Sequence, residues 1–286
     1  MEKKRIAYTI SILFACSMFL MVLITGCRQN PSSLQPGSGL GFDAWVEIFG
    51  QVASELIQAR SHHDPELIIP LARDISFYDQ MKTFSLTFPD YEARLIGAYL
   101  SRHEGVVVAD SWNWEPMPTG ERWTKDHPLT EFHWITFDEG KISSWQVMYG
   151  QEFHTAARLS LDQKILQDYA SAWSSGNPED VAELYTTDAV RHEPLLWGNQ
   201  SGSQAIKEFS NNLFTEFPGA RMELLQSFGE IPEATHIGGI YVIHLQEFWR
   251  TCDVRAIIVL TPDNDKIASE WVFYQGSTLF DCGWVR

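Results

Sequence analysis

Glu131 and His133 stand two residues apart in Leu129–Phe137, a run of apolar and β-branched residues that reads as a strand. Successive strand residues face opposite ways, so this pair shares one face with Ile135 and Phe137. A carboxylate beside an imidazole is sufficient for general acid–base chemistry, one acting as base and the other orienting it. Tyr78-Asp79 and His192-Glu193 offer a hydroxyl or an imidazole next to a carboxylate. Each pair falls on a predicted short strand, so one member alone can face an interior. With the carboxylate left at the surface, Tyr78 and His192 are the expected inward residues. Glu131, His133, Tyr78 and His192 are therefore the candidate catalytic groups.

A second set has the character of a lining. Asp110, Trp112 and Trp114 alternate along one face of Gly105–Trp114, and His244, Gln246 and Phe248 take the matching places in a later strand. Trp112 and Trp114 would form an aromatic wall for a flat apolar or carbohydrate-like ligand. The ordinary alternative is core or interface. Arg255 is a candidate holder of a ligand carboxylate, or else a surface ion-pair partner. Metal chemistry has little support: His62-His63-Asp64 falls between two predicted helices, where Asp64 caps the second, and the chain has no Cys-x-x-Cys or His-x-x-x-His spacing. It also lacks a Gly-x-Ser-x-Gly elbow and a phosphate loop, so no metal or other cofactor is expected.

The elements that must position these groups occur twice. Lys141-Ile-Ser-Ser-Trp-Gln-Val-Met-Tyr149 returns as Lys266-Ile-Ala-Ser-Glu-Trp-Val-Phe-Tyr274, at a constant offset of 125, each after an acidic turn. Phe88-Pro89-Asp90 returns as Phe217-Pro218-Gly219 at 129, and Asp74–Asp79 aligns with Asp188–Glu193 at 114. Shifting offsets are the mark of a duplicated unit with altered loops. In the later copy, helices are predicted over Leu161–Ser174, Glu179–Tyr185 and Ser203–Phe217, with a short strand at Asp188–Pro194 and four strands at the end. The earlier copy repeats this plan, with helices at Ala44–Ser61 and Pro65–Arg73, a short strand at Asp74–Asp79 and an irregular helix at Gln80–Phe88. Helices followed by antiparallel strands give an α+β layer fold.

The stretch Ala-Trp-Ser-Ser-Gly-Asn-Pro-Glu-Asp-Val-Ala-Glu-Leu-Tyr-Thr-Thr-Asp-Ala-Val, Ala172 to Val190, resembles the opening of SnoaL-like members of the nuclear transport factor 2-like superfamily. The Phe-Pro step and the closing Lys-Ile phrase fit the same family. The resemblance implies two tandem cystatin-like α+β cones, each enclosing a pocket, over 42–158 and 159–286. It further implies a small, largely apolar ligand and, where there is catalysis, cofactor-free proton transfer of the isomerase, cyclase or lyase kind. Such folds often dimerise, so the two copies are expected to pack as a pseudo-dimer. One fold hosts many chemistries, and a non-catalytic interaction module with side-chain-filled pockets is the competing reading.

Lys3-Lys4-Arg5 and the apolar stretch Ile6–Ile24, followed by Thr25-Gly26-Cys27, describe an export signal over 1–26. The small residues before Cys27 resemble a bacterial lipobox, which implies lipidation of Cys27, a membrane anchor and an extracytoplasmic address. An uncleaved anchor helix is the alternative. Residues 27–41, rich in Pro, Ser and Gly, read as a tether. The net charge of −16 opposes nucleic-acid backbones and anionic headgroups. Cys252 and Cys282 remain in an oxidising compartment, where a disulfide or two buried thiols are open to them.

Overall fold

A computed structural model describes residues 42–113, 123–138, 141–150, 156–229, 235–247 and 250–283. The export signal, the tether, Cys27 and Trp114 lie outside the described residues. The chain runs α1 (Phe42–Ser61), a 3-10 turn (Pro65–Ile68), α2 (Ile75–Thr87), β1 (Glu92–Leu100), β2 (Glu104–Trp112), β3 (Leu129–Asp138) and β4 (Lys141–Gly150). It continues through α3 (Ala156–Ser174), α4 (Pro178–Glu183), β5 (Tyr185–His192), β6 (Gln200–Ser201), α5 (Ser203–Glu216), β7 (Arg221–Gly229), β8 (Ile237–Glu247), β9 (Arg250–Asp263), β10 (Lys266–Gln275) and α6 (Gly276–Cys282).

Helix α1 forms because Trp45, Phe49, Val52, Ala53, Leu56 and Ile57 recur at helical spacing, and all six are buried against the sheet. It comes so close to β2 that a Cβ on Gly105 would lie 2.1 Å from the Phe49 ring. In the later half, α3 buries Leu166, Tyr169, Ala170 and Trp173. Gly176, with φ of 69°, lies just beyond the end of α3, and Asn177 caps α4 by accepting from the Glu179 N–H.

The short strand expected at Asp74–Asp79 is instead the start of α2. Asp74 accepts the Ser76 N–H at 2.7 Å as an N-cap, and Phe77 and Met81 turn inward one helical turn apart. What remains of strand pairing is one parallel bridge, Ala72 to Ile142, in the place where Tyr185 meets Ile267 in the later half. α6 lies beyond the last predicted strand. It brings Cys282 to Cys252 of β9 with their Cα atoms 5.6 Å apart, and the two form a disulfide.

Strands β1–β4 and β7–β10 are two antiparallel meanders, with β5 parallel to β10 and β6 at its outer side. They are not separate sheets. Tyr149 pairs with Gly229 and Gly150 with Phe228, while Tyr274 pairs with Leu100 and Gln275 with Tyr99, so one ten-stranded sheet closes through eight of its strands. The two seams correspond under the offsets of 125 and 129 found in the sequence. So do two bulges, at Ile96 in β1 and Leu225 in β7, which bend the sheet. The sheet faces turned away from the helices carry Val106, Val108, Phe132 and Trp134 in one half and Phe228, Ile257, Val259 and Phe273 in the other, all in one buried cluster. Phe132 and Phe228 stack across it with centroids 3.8 Å apart. Collapse of these apolar faces brings the strand ends within pairing distance, which is why separate sheets become one.

Candidate functional site

The first half holds its polar groups in a sealed interior. Glu131 and His133 both point to the helix side of β3, as the alternation requires, and both are fully buried. Glu131 Oε2 lies 2.9 Å from Arg60 Nη1, at the end of α1, and accepts from the Tyr91 hydroxyl at 3.2 Å. Its Oε1 accepts from Ser111 Oγ at 2.6 Å. His133 Nε2 is 3.1 Å from Glu131 Oε2, while Trp145 Nε1–H donates to His133 Nδ1 at 3.1 Å. These partners assign the neutral tautomer with its proton on Nε2. The Arg60 guanidinium lies over the rings of Phe84, Tyr91 and Trp145 at 4.1, 4.8 and 5.5 Å.

Burial alone would push the Glu131 pKa up, but the Arg60 charge and hydrogen bonds from His133 and Ser111 hold it at about 2. Burial lowers the His133 pKa, against the hydrogen bond to Glu131, which raises it. The carboxylate is thus ionised and the imidazole neutral, and both ring nitrogens are engaged by protein groups. Structure and sequence agree that the pair shares a face. The structure adds that Trp145, Arg60 and Tyr91 close over it.

The second half contains a small cavity, with about 30 Å3 open to the centres of water-sized molecules. Leu213, Met222, Ile243, Leu245, Val254, Ile258 and Val272 give its aliphatic walls. Trp173, Trp197 and Phe209 are its aromatic walls, and Tyr169, Arg191 and Tyr274 complete the lining. Arg191 Nε donates to Glu270 Oε1 at 3.0 Å and Nη1 to Gln200 Oε1 at 2.9 Å. Glu270 also accepts from Tyr169 at 2.8 Å and from Tyr185. Trp173 and the Tyr274 hydroxyl, both buried, lie beside Tyr185 and Arg191 respectively. Burial raises the pKa of Tyr169 and of Tyr274 well above the usual tyrosine value of 10.0. Burial also raises Glu193 to about 7, although Arg191 and the N–H groups of Leu196 and Trp197, which its carboxylate accepts, pull the other way.

Several sequence-predicted residues stand elsewhere. The inward side belongs to Arg191 on β5 and Glu193 just past its end, and His192 turns outward to stack on Trp271, centroids 4.8 Å apart. The choice between neighbours is reversed because Glu270 and the N–H groups after Glu193 supply partners that make burial of those charges feasible. Tyr78 is on α2, half-buried, and donates to Glu66 at 3.2 Å. Asp110 pairs with Arg94 at 2.9 Å, and Trp112 joins Trp123 and Leu129 in a small cluster, on the β2 face opposite Val107 and Ala109. His244 Nδ1 is 2.8 Å from Asp253 on the outer face of β8, and Arg255 is exposed on β9. None of these lines the cavity.

Arg60, Tyr91, Arg191 and Glu270 were not singled out by sequence. A signal existed for three of them. Arg60 continues the Ala53, Leu56, Ile57 stripe of α1, Arg191 shares parity with Ala189, and Glu270 shares it with Val272 and Tyr274. A charge on an apolar face was the clue. Among the described residues, no group of three or more His, Cys, Asp or Glu side chains is placed to hold a metal ion.

Residues 163–281 match the family model of SnoaL-like polyketide cyclases, so the later half contains a SnoaL-like domain. Among solved structures, a hypothetical protein with a ketosteroid isomerase-like fold from Catenulispora acidiphila DSM 44928, in complex with trimethylamine, is similar at 14% identity and TM-score 0.38, over 43% of this chain and 94% of that one. Bal32a from a soil-derived mobile gene cassette is similar at 18% identity and TM-score 0.37, over 44% of this chain and 97% of that one. A nuclear transport factor 2-like protein of unknown function from Cytophaga hutchinsonii ATCC 33406 gives 14% and 0.33, over 42% and 94%. No curated protein matches the sequence.

Proposed function

We propose that this is a lipid-anchored, extracytoplasmic protein of two duplicated SnoaL-like units that binds a small, largely apolar molecule in the later unit. The observation that carries the binding reading is the cavity itself, walled by aliphatic and aromatic side chains and open to solvent. Duplication is supported by the seams and bulges that correspond under the sequence offsets. The anchor rests on Lys3-Lys4-Arg5, the apolar stretch and Cys27.

Binding is favoured over turnover. Tyr169 and Tyr274 are held protonated, Arg191 is held charged by Glu270, and both Glu193 oxygens accept backbone N–H groups. No cofactor is invoked. In the first unit the filled interior favours the interaction reading: Trp145 and Arg60 occupy the space, and the unit serves as the packing partner of the second.

The test is thermal shift of the full chain against a panel of small apolar molecules of up to about one ring, beside Met222→Trp, which fills the cavity. A binder should raise the midpoint of the natural chain and leave the variant unmoved. Equal shifts in both proteins refute the cavity reading. For the anchor, mass analysis of membrane-extracted protein should give a chain beginning at an acylated Cys27; an intact Met1 end refutes it.

A further inference from the structure

The cavity is too small for a ring as it stands. About 30 Å3 is open to the centres of water-sized molecules, room for about two waters, whereas a benzene ring needs about 150 Å3. Its deep walls cannot supply the difference. Tyr169 on α3, Leu245 on β8, Val254 and Ile258 on β9 and Val272 on β10 are all buried in the dense core. Space must come from the mouth, where Trp197, Phe209, Leu213, Met222 and Ile243 are half-buried.

Of these, only Trp197 stands on a loop; the others belong to α5, β7 and β8. The far end of the loop is fixed, since Gln200 pairs with Arg191 across β5–β6 and the Gly202 N–H donates to the Ala189 carbonyl at 2.7 Å. Leu195 is buried in the core, so the part that can swing is Leu196–Asn199. Two side chains fasten it. The Glu193 carboxylate accepts the Leu196 N–H at 3.1 Å and the Trp197 N–H at 2.6 Å, and Asn199 Oδ1 accepts the Glu193 N–H at 3.0 Å. Gly198 follows Trp197 with φ of 79°, a conformation glycine reaches readily, and a Cβ there would meet nothing within 4 Å. The Trp197 ring lines the cavity, its centroid 5.7 Å from that of Phe209 and 6.4 Å from that of Tyr274.

From these observations, and resting on the cavity being a ligand site, we infer that Trp197 is its plug. A ring-sized ligand enters by displacing the indole, with Leu196–Asn199 swinging about Gly198. The Trp197 side chain thereby sets the size of molecule admitted. Opening gives up the bonds to Glu193, and apparent affinity falls with the fraction of chains that are open.

Toluene and naphthalene, titrated calorimetrically into the full chain, test the plug. The natural chain should bind toluene about tenfold more tightly than naphthalene, and Trp197→Ala should bring the two within about threefold. Glu193→Gln keeps one acceptor oxygen and releases one N–H, so it should raise toluene affinity about threefold without enlarging the cavity. A wall that never moves would not respond to that substitution. Acrylamide reads the displacement itself: toluene should increase quenching of tryptophan fluorescence in the natural chain and not in Trp197→Phe. Bound toluene that leaves quenching unchanged, or a preference for toluene that survives Trp197→Ala, overturns the plug and leaves the cavity reading standing. Unchanged toluene affinity in Glu193→Gln overturns the fastening by Glu193. Toluene bound by Trp197→Ala but not by the natural chain supports the plug, because the closed form then predominates. Failure of both to bind toluene, or equal binding to Met222→Trp, removes the cavity reading and the inference with it.

Discussion

Trp145 and Glu270 occupy corresponding positions: Trp145 faces Ile135 across β3–β4, and Glu270 faces Leu260 across β9–β10, each at the 125-residue offset. Both serve a buried arginine, Trp145 by lying over Arg60 and Glu270 by pairing with Arg191. Their difference in size and reach distinguishes the two interiors. The Trp145 indole fills its half and donates to His133, whereas the Glu270 carboxylate is drawn to Arg191, Tyr169 and Tyr185. Trp145→Phe keeps a ring over Arg60 and removes one of two donors facing His133 Nδ1, the other being Arg60 Nη1 at 3.2 Å. A loss of about 1 kcal/mol is expected in urea denaturation. No loss would mean that this hydrogen bond is immaterial.

Arg60→Met tests whether the first interior depends on charge pairing. The side chain is close in shape to the arginine stem, but Glu131 would be left buried without its cation. Removing one member of a buried ion pair destabilises by about 3–5 kcal/mol, which equilibrium unfolding would report. A loss under about 1 kcal/mol would show that His133, Ser111 and Tyr91 suffice.

Acid should unfold the protein through the same cluster. The Glu131 pKa is depressed from 4.5 to about 2, so its contribution is complete above 4.5 and is lost as pH falls towards about 2. That contribution is on the order of 3 kcal/mol. His133 acts in the same direction at higher pH: its folded pKa lies below 6.5, so the unfolded chain takes up a proton first and stability declines as pH falls below 6.5. Denaturation midpoints measured from pH 7 to pH 2.5 should fall steadily. Flat midpoints between pH 4.5 and 2.5 would show that Glu131 is not held ionised.

The Cys252–Cys282 bridge closes a separation of 30 residues between β9 and α6. Replacing both cysteines with serine should cost about 3–4 kcal/mol in the chain-entropy view. Without reductant, alkylation should label neither cysteine of the natural chain, and rapid labelling of both would show free thiols.

By itself the sequence determined whatever depends on local spacing. The period of two placed Glu131 beside His133, and the 125-residue echo marked equivalent strands before any contact was known. Tertiary structure decided which of two neighbours a face would accept. On a bare strand His192 is the expected inward residue, and the N–H groups of Leu196 and Trp197 offset part of the cost of burying Glu193 in its place. It also decided that Asp74 would cap a helix, that Trp112 would face away from the helices, and that two meanders would close into one sheet. The reason is the same each time: desolvation of a polar group, or removal of an apolar one from water, is settled by partners far away in the chain. The offset between repeats records where those partners are, but not whether their surfaces will meet.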